Sequence, residues 1–493
     1  MSKKVIIDPV SRIEGHLKIE ADVENGRCSE ARSTGTLFRG IEMILKGRDP
    51  RDATQITQRI CGVCPIGHAM ASARCLDDAY GVKPPHNGRT IRNLIQGANY
   101  IQSHILHFYH LTALDYVKGP EAAPFVPRYE GKDFYRLPEA ANAAAVGQYI
   151  EALDMRNKAQ QMLAIFGGKM PHAQGIVVGG TTQVPMADDI VEFLWRLKEL
   201  QAFIDNTYLP TVYAVAKAYS DYFAIGVGCK NLMSYGCFEL DDKGTMLLPG
   251  GVYTNGKERK LDPSKITESV TYSWYADSTT GRHPSQGETV PAPHKERGYS
   301  YIKAPRYDGL THEVGPLARV WMANPVLSKN ANAFLGVSEK KDIHFRDLGD
   351  KAFSVLGRHA ARAEECSIVA HAMEQWVLSL KPGEPSCVAV KTPKKAMGMG
   401  LWEAPRGSLG HWISIEDHKI ANYQCVVPTT WNCGPRDDHG KPGPVEMALA
   451  GCPVSDAANP IELTRVVRSF DPCLACAVHV VEPGGKSRTI KIA

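Results

Sequence analysis

The chain reads as α+β and mainly α: a core of long helices with small β regions in its N-terminal, middle and C-terminal parts, and two Cys-x-x-Cys motifs that meet at a buried metal site. Three observations carry this. Apolar residues recur at helical spacing through long windows, as in Ile91, Leu94, Ile95, Ala98, Ile101, Ile105 and Phe108. Alternating apolar and polar residues beside turn signals are confined to a few stretches. Two close thiol pairs, Cys61 with Cys64 and Cys473 with Cys476, lie about four hundred residues apart and together offer four thiolates to one centre.

From the N-terminus, Val5 to Ala31 reads as short strands, since Leu17–Val23 alternates and Asn25-Gly26 signals a hairpin turn. Between them lies the polar cluster Ser11–His16, and by local pattern an exposed turn is the plain account of Glu14. A short helix starts near Phe38 and breaks at Asp49-Pro50. The spacing predicts a helix over Pro65–Tyr80 with Gly81 as its stop. His68 lies on it, either turned back toward the thiols or simply packed. A long helix over Thr90–Val117 carries His104, His107 and His110; three-residue steps drift about 60° each around a helix, so these read as hydrogen-bonded core residues. Helices follow at Val146–Phe166 and Asp188–Tyr208, with a kink at Pro210. The glycines near 167–180 match no phosphate-binding loop, which excludes nucleotide binding there.

The rest divides into an irregular insertion at 224–315, a helical core at 316–400 and a β/α region at 401–479. With the N-terminal region 1–58 and the helical core 59–223 these form one multi-lobed unit, followed by a basic tail at 480–493.

Basic and acidic residues number 57 and 53, interspersed, giving a net charge of +4 and no case for nucleic acid. No apolar run is long enough to predict a transmembrane helix. Met1–Pro9 is not a secretory signal, so the expectation is a cytoplasmic protein or one exported on a signal-bearing partner. Thirteen cysteines are too few, and too odd in number, for a disulfide scaffold; those outside the two pairs read as small buried apolar residues.

Four thiolates admit three readings. Two independent dithiols would each need a βαβ context that neither has. A structural zinc site usually closes over a far shorter span. In the third reading the centre is catalytic, since thiolates are soft ligands that suit nickel or iron and can bridge two metals. Asp471, His479, His68, Glu14 and Arg406 are then the candidate acids, bases and charges.

Arg59-Ile60-Cys61-Gly62-Val63-Cys64 with His68, and Asp471-Pro472-Cys473-Leu474-Ala475-Cys476 with His479, resemble the two signature motifs of the nickel–iron hydrogenase large subunit, in the group of uptake and periplasmic enzymes. Arg12–His16, Phe38-Arg39-Gly40, Arg48–Asp52, His107–His110 and Glu403–Gly407 are similar to family sequence too, so the resemblance runs nearly end to end. A complex I-like quinone-module subunit shares the fold but lacks the full cysteine set. That relative, and a structural protein with a four-cysteine metal site, are the alternatives.

The resemblance implies reversible heterolytic cleavage of dihydrogen at a nickel–iron centre. It makes Cys61 and Cys473 terminal nickel ligands, and Cys64 and Cys476 bridges to an iron that carries CN and CO. Arg406 and Thr429 would contact the cyanides and Pro405 wall their pocket. Glu42, the Cys425 carbonyl and His479 would hold Mg, and His68 would hydrogen-bond a bridging thiolate. Cys473 is implied as first proton acceptor with Arg406 as rival base, and Glu14 as the relay outward.

Ser103 departs from the family, where many members have an aspartate, and resembles the selenium-containing branch. In that branch selenocysteine replaces the first cysteine of the C-terminal pair, which here reads Cys473. Further implications are a small subunit carrying iron–sulfur clusters, an external electron carrier such as a cytochrome, and removal of 480–493 on maturation. The implied location is the periplasm, through export with the small subunit; membrane association and a cytoplasmic location stay open at this point.

Overall fold

The computed structural model describes residues 3–131, 134–338 and 340–477, with residues 476 and 477 as backbone alone. The Cys476 side chain, His479 and the tail 480–493 lie outside the described residues. Strands β1 (Lys3–Ile7), β2 (Leu17–Glu24) and β3 (Arg27–Gly35) form an antiparallel meander in that order. Leu17, Ile19, Ala21 and Val23 are buried while their neighbours are not, the period-two pattern of a sheet with one wet face. Asn25 and Gly26 both take positive φ in the turn, as their sequence predicts.

Next come α1 (Ile41–Leu45), α2 (Pro65–Tyr80) and α3 (His86–Ile105). Pro65 opens α2 and Gly81 ends it at φ 65°. Helix α3 is buried along almost its whole length, because α4 (Glu139–Gly167) and α6 (Val355–Leu378) pack on it while α5 (Ala187–Phe203) packs on both of those. The straight helix expected as far as Val117 ends at Ile105, where the chain widens into a π-helical turn over Leu106–Thr112. There His104 meets Glu365 at 2.9 Å, His107 the Arg468 carbonyl at 2.7 Å and His110 the Tyr149 carbonyl at 3.1 Å. Three separate bonds hold the histidines, His104 and His107 in the core and His110 half-buried at its edge.

The stretch 224–315 forms short strands, as expected, among them Leu232–Ser234, Gly251–Thr254 and Lys257–Arg259 in one small sheet. Helix beyond Gly315 breaks at Asn324, φ 45°, ahead of Pro325, and resumes at Lys329–Leu335. The sequence reading also carried the helical core on to residue 400. Instead β4 (Lys395–Ala404) begins inside it and pairs with β5 (Gly407–Glu416), which pairs with β6 (Lys419–Val426). Gly398 and Gly400 give the reason. A Cβ there would stand 2.2 Å from the Cys75 carbonyl oxygen and 2.0 Å from that of Ala71, so these glycines exist to let β4 lie directly on α2.

Helices α7 (Pro444–Leu449), α8 (Ile461–Ser469) and α9 (Leu474–Ala477) close the described residues, with α7 against β3. Among the described residues no helix is long and apolar enough to cross a membrane.

Candidate metal centre

Cys61 follows a single 3-10 turn, Gln58–Ile60, in extended conformation, and Cys64 is the residue before α2. That tight loop turns the Val63 and Cys64 amides onto the Cys61 sulfur at 3.3 and 3.4 Å, and N–H donors favour the thiolate form. Gln102, on α3, donates to the Val63 carbonyl at 2.7 Å and fixes the loop from behind. Cys473 comes in from α8 through Asp471, φ 55°, and its amide donates to the Thr429 hydroxyl at 2.9 Å. The Cys61 and Cys473 sulfurs stand 3.2 Å apart, and the sulfurs of Cys61, Cys64 and Cys473 all lie within 4.8 Å of one another. Each of the three residues is 1% exposed. A buried cluster of soft sulfur donors fits nickel or iron.

Glu14 is more than a surface turn residue. Its backbone forms a parallel bridge with Cys473, the Leu474 amide donating to the Glu14 carbonyl at 2.8 Å. The Glu14 carboxylate accepts from the Cys473 thiol at 3.1 Å and from the Ala475 amide at 2.9 Å. Burial, then the charge of Cys61, raises its pKa above the ordinary carboxylate value. The local pattern missed this because the partner is 459 residues away. The loop is anchored by Arg12, at φ 56°, which pairs with buried Asp115 and donates to the Leu111 carbonyl at 3.0 Å. Arg468 reaches both Asp115 oxygens at 2.8 Å and the Ser11 carbonyl at 3.1 Å.

Arg406 lies in the turn between β4 and β5 and is 2% exposed. It stands 2.9 Å from an Asp471 oxygen and donates to the Ser103 hydroxyl at 3.4 Å. Asp471 thus supplies the counter-charge that a serine at 103 cannot. The ion pair is close but poorly aligned. Nε and Nη2 of Arg406 and both Asp471 oxygens lack a hydrogen-bond partner among the described residues, which suits donors held ready for a bound group. Burial opposes the guanidinium charge, but Asp471 and then the thiols outweigh it and hold the group firmly protonated. It is built as a donor rather than a base.

Sequence reasoning missed the group that sets this turn. Fully buried Arg319 donates to the Ala404 and Pro405 carbonyls at 2.9 and 2.8 Å, and is itself held by Glu365 at 2.5 Å and Glu403 at 2.7 Å. A lone arginine in the otherwise apolar Pro316–Ala323 helix was the available signal.

His68 is buried, its Nδ1 lying 3.3 Å from His411, whose other nitrogen meets the Tyr423 hydroxyl at 2.8 Å. Burial pushes its pKa down to about 4, so the ring is neutral near pH 7. Glu42, on α1, accepts from the Cys425 amide at 2.8 Å and from the Thr289 hydroxyl. Lys303 beside it contacts Glu268 and Gln424, each at 3.2 Å. Two buried carboxylates, an amide oxygen and a hydroxyl against one lysine make an oxygen-rich, net negative nook that fits a hard cation in kind. Glu268, Lys303, Thr289 and Gln424 were not singled out in the sequence, where nothing local marks them.

A family model described as nickel-dependent hydrogenase matches residues 39–123 and 117–479, and one described as HoxL-like matches 4–34. The chain is 51% identical to the periplasmic NiFeSe hydrogenase large subunit of Desulfomicrobium baculatum, over 97% of this chain and 95% of that one. It is 35% identical to the hydrogenase-2 large chain of Escherichia coli strain K12, over 98% of each. Its fold is similar to the reduced Ni-Fe-Se hydrogenase of D. vulgaris Hildenborough, with a TM-score of 0.95 at 52% identity, covering 97% of this chain and 100% of that one. With its buried thiols gathered at one point and its whole length matched, the chain belongs to the nickel-dependent hydrogenase family.

Proposed function

We propose that the protein is the large subunit of a periplasmic nickel–iron hydrogenase that cleaves dihydrogen reversibly and heterolytically, and that the branch-like features around Ser103 and Cys473 belong to this site. In this reading Cys61 and Cys473 would be nickel's own ligands, Cys64 and Cys476 would serve nickel and iron together, and CN and CO would complete the iron's ligands. Bound nickel and iron supply the Lewis acidity and electron capacity that the cleavage needs. The chain's own groups then handle the proton and the surroundings.

The Cys473 sulfur accepts the proton and passes it to Glu14, 3.1 Å away. Glu14 is half-buried while Cys473 is buried, so this carboxyl leads outward from the core. Arg406, permanently charged, would donate to one cyanide and the Thr429 hydroxyl would serve the other, with Pro405 as a wall of the pocket. His68 donates to a bridging thiolate as a neutral ring and orients it. Glu42, the Cys425 carbonyl and His479 would hold Mg. Electrons leave through a small subunit with iron–sulfur clusters to a carrier such as a cytochrome.

One observation carries this reading: the Cys473 sulfur is at once 3.2 Å from that of Cys61 and 3.1 Å from a carboxylate oxygen. An infrared spectrum of the purified heterodimer should show carbonyl and cyanide stretches; their absence from nickel-loaded protein would reject the centre. Glu14→Gln should keep those bands and the metals while hydrogen oxidation falls by roughly 10²–10⁴, the usual range for a lost proton-transfer group. Unchanged oxidation rates would remove Glu14 from the relay.

A further inference from the structure

We propose that Arg39 is a positioning residue that staples the two cysteine loops together at the separation the metals require. One guanidinium reaches both. Nη1 donates to the Arg59 carbonyl at 3.1 Å, and Nη2 donates to the carbonyls of Ile60 and Ala475, each at 2.5 Å. Ile60 immediately precedes Cys61 and Ala475 immediately precedes Cys476, so the bonds end one residue short of a ligand on each side. The partners lie 21 and 436 residues along the chain from Arg39.

The arginine is itself held. Phe38 is buried, stacked on Tyr301 with ring centroids 5.7 Å apart and edge-on to Tyr275 at the same separation. Gly40 turns the chain at φ 66° straight into α1, which carries Glu42. The backbone on both sides of Arg39 is therefore fixed, and the side chain needs no large adjustment to reach its three acceptors.

A staple is needed because the loops enter from opposite ends of the chain and each brings thiolates that repel the other pair when deprotonated. Carbonyl oxygens clamped by a cation keep both loops in place and set a positive charge beside the thiol cluster. Nη2 alone bridges the two loops and Nη1 fixes its orientation through the Arg59 carbonyl; a lysine keeps the charge but carries its donors on one nitrogen of a flexible stem, without that second anchor.

The inference rests on the four-cysteine reading, and the test separates the two. Arg39→Lys and Arg39→Met are prepared as the heterodimer, beside Cys61→Ser. Nickel and iron content, nickel release to a chelator, infrared band positions and unfolding temperature are measured. Nickel release should be at least tenfold faster in Arg39→Met and intermediate in Arg39→Lys, with shifted carbonyl and cyanide bands, at temperatures well below unfolding. Release within twofold of the parent protein and unshifted bands in both variants would overturn the staple. So would faster release confined to temperatures at which the chain itself unfolds. If Arg39→Met does not accumulate, Arg39→Lys decides by the same criteria. Full nickel in Cys61→Ser would instead bring down the ligand reading, whatever Arg39 does.

Discussion

At the scale of single residues, Gly15 is what lets Glu14 touch the thiol. It sits at φ 80°, and a Cβ there would stand 2.7 Å from the Ala475 amide nitrogen and 2.8 Å from the Leu474 Cβ. Gly15→Ala therefore has to lift the loop off α9, adding about 1–2 kcal/mol of left-handed strain to the clash. The expected outcome is full metal content with hydrogen oxidation reduced at least tenfold, checked by elemental analysis beside turnover. Metal loss in step with activity would instead assign Gly15 to assembly. The cysteine spacing was legible because each pair is local. The contact between Glu14 and Cys473 was not, since alternation and turn signals say nothing of a partner more than four hundred positions away.

At the scale of elements, the site is set by α2 lying on β4. Cys64 stands just before α2 and Arg406 just after β4, so glycine-mediated contact between the two brings thiol and guanidinium together. Helix α2 was readable from its proline start and glycine stop. Strand β4 was not, because alternating glycines carry little β propensity and acquire their meaning only from the helix they admit. Similarly, Asn93, Gln96 and Tyr100 form a polar stripe on buried α3 that hydrogen-bonds the Glu239, Glu403 and Ala404 carbonyls, each an irregular-segment or strand-end acceptor invisible to helical periodicity.

The Arg319 network fixes the same turn. Burial opposes charge on Glu365, yet Arg319 and His104 pull its carboxyl down to about 2. Arg319→Met leaves two buried carboxylates without their cation, a loss of about 3–5 kcal/mol. The unfolding temperature should drop and the infrared bands shift as Arg406 moves. A stable variant with unmoved bands would mean the turn holds itself.

At the scale of the whole molecule, remote parts of the chain are tied by buried polar groups, and Glu446 is one whose charge responds near neutrality. From the first turn of α7 it accepts from the Ser33 amide on β3 at 2.9 Å and from the Tyr299 hydroxyl at 2.8 Å. Burial raises its pKa from 4.5 to about 7. A carboxyl with a raised folded pKa stabilises the fold fully below its unfolded value, and this contribution is lost as pH climbs through the folded one. Between pH 4.5 and 7 the loss is about 1.4 kcal/mol per pH unit, about 3 kcal/mol in all. Relative to Glu446→Gln, the parent protein should therefore lose unfolding temperature from pH 5 to 7.5; parallel pH curves would contradict this.

By itself the sequence determined the helical core, the N-terminal hairpin, the thiol motifs and, through them, the family, because periodicity, turn chemistry and ligand spacing are local properties. Only the tertiary structure decided that Glu14 meets Cys473, that Asp471 replaces the missing charge at Ser103, that Arg319 sets the Arg406 turn and that Arg39 spans both loops. Those contacts join residues whose separation in sequence carries no signal; packing alone makes them neighbours.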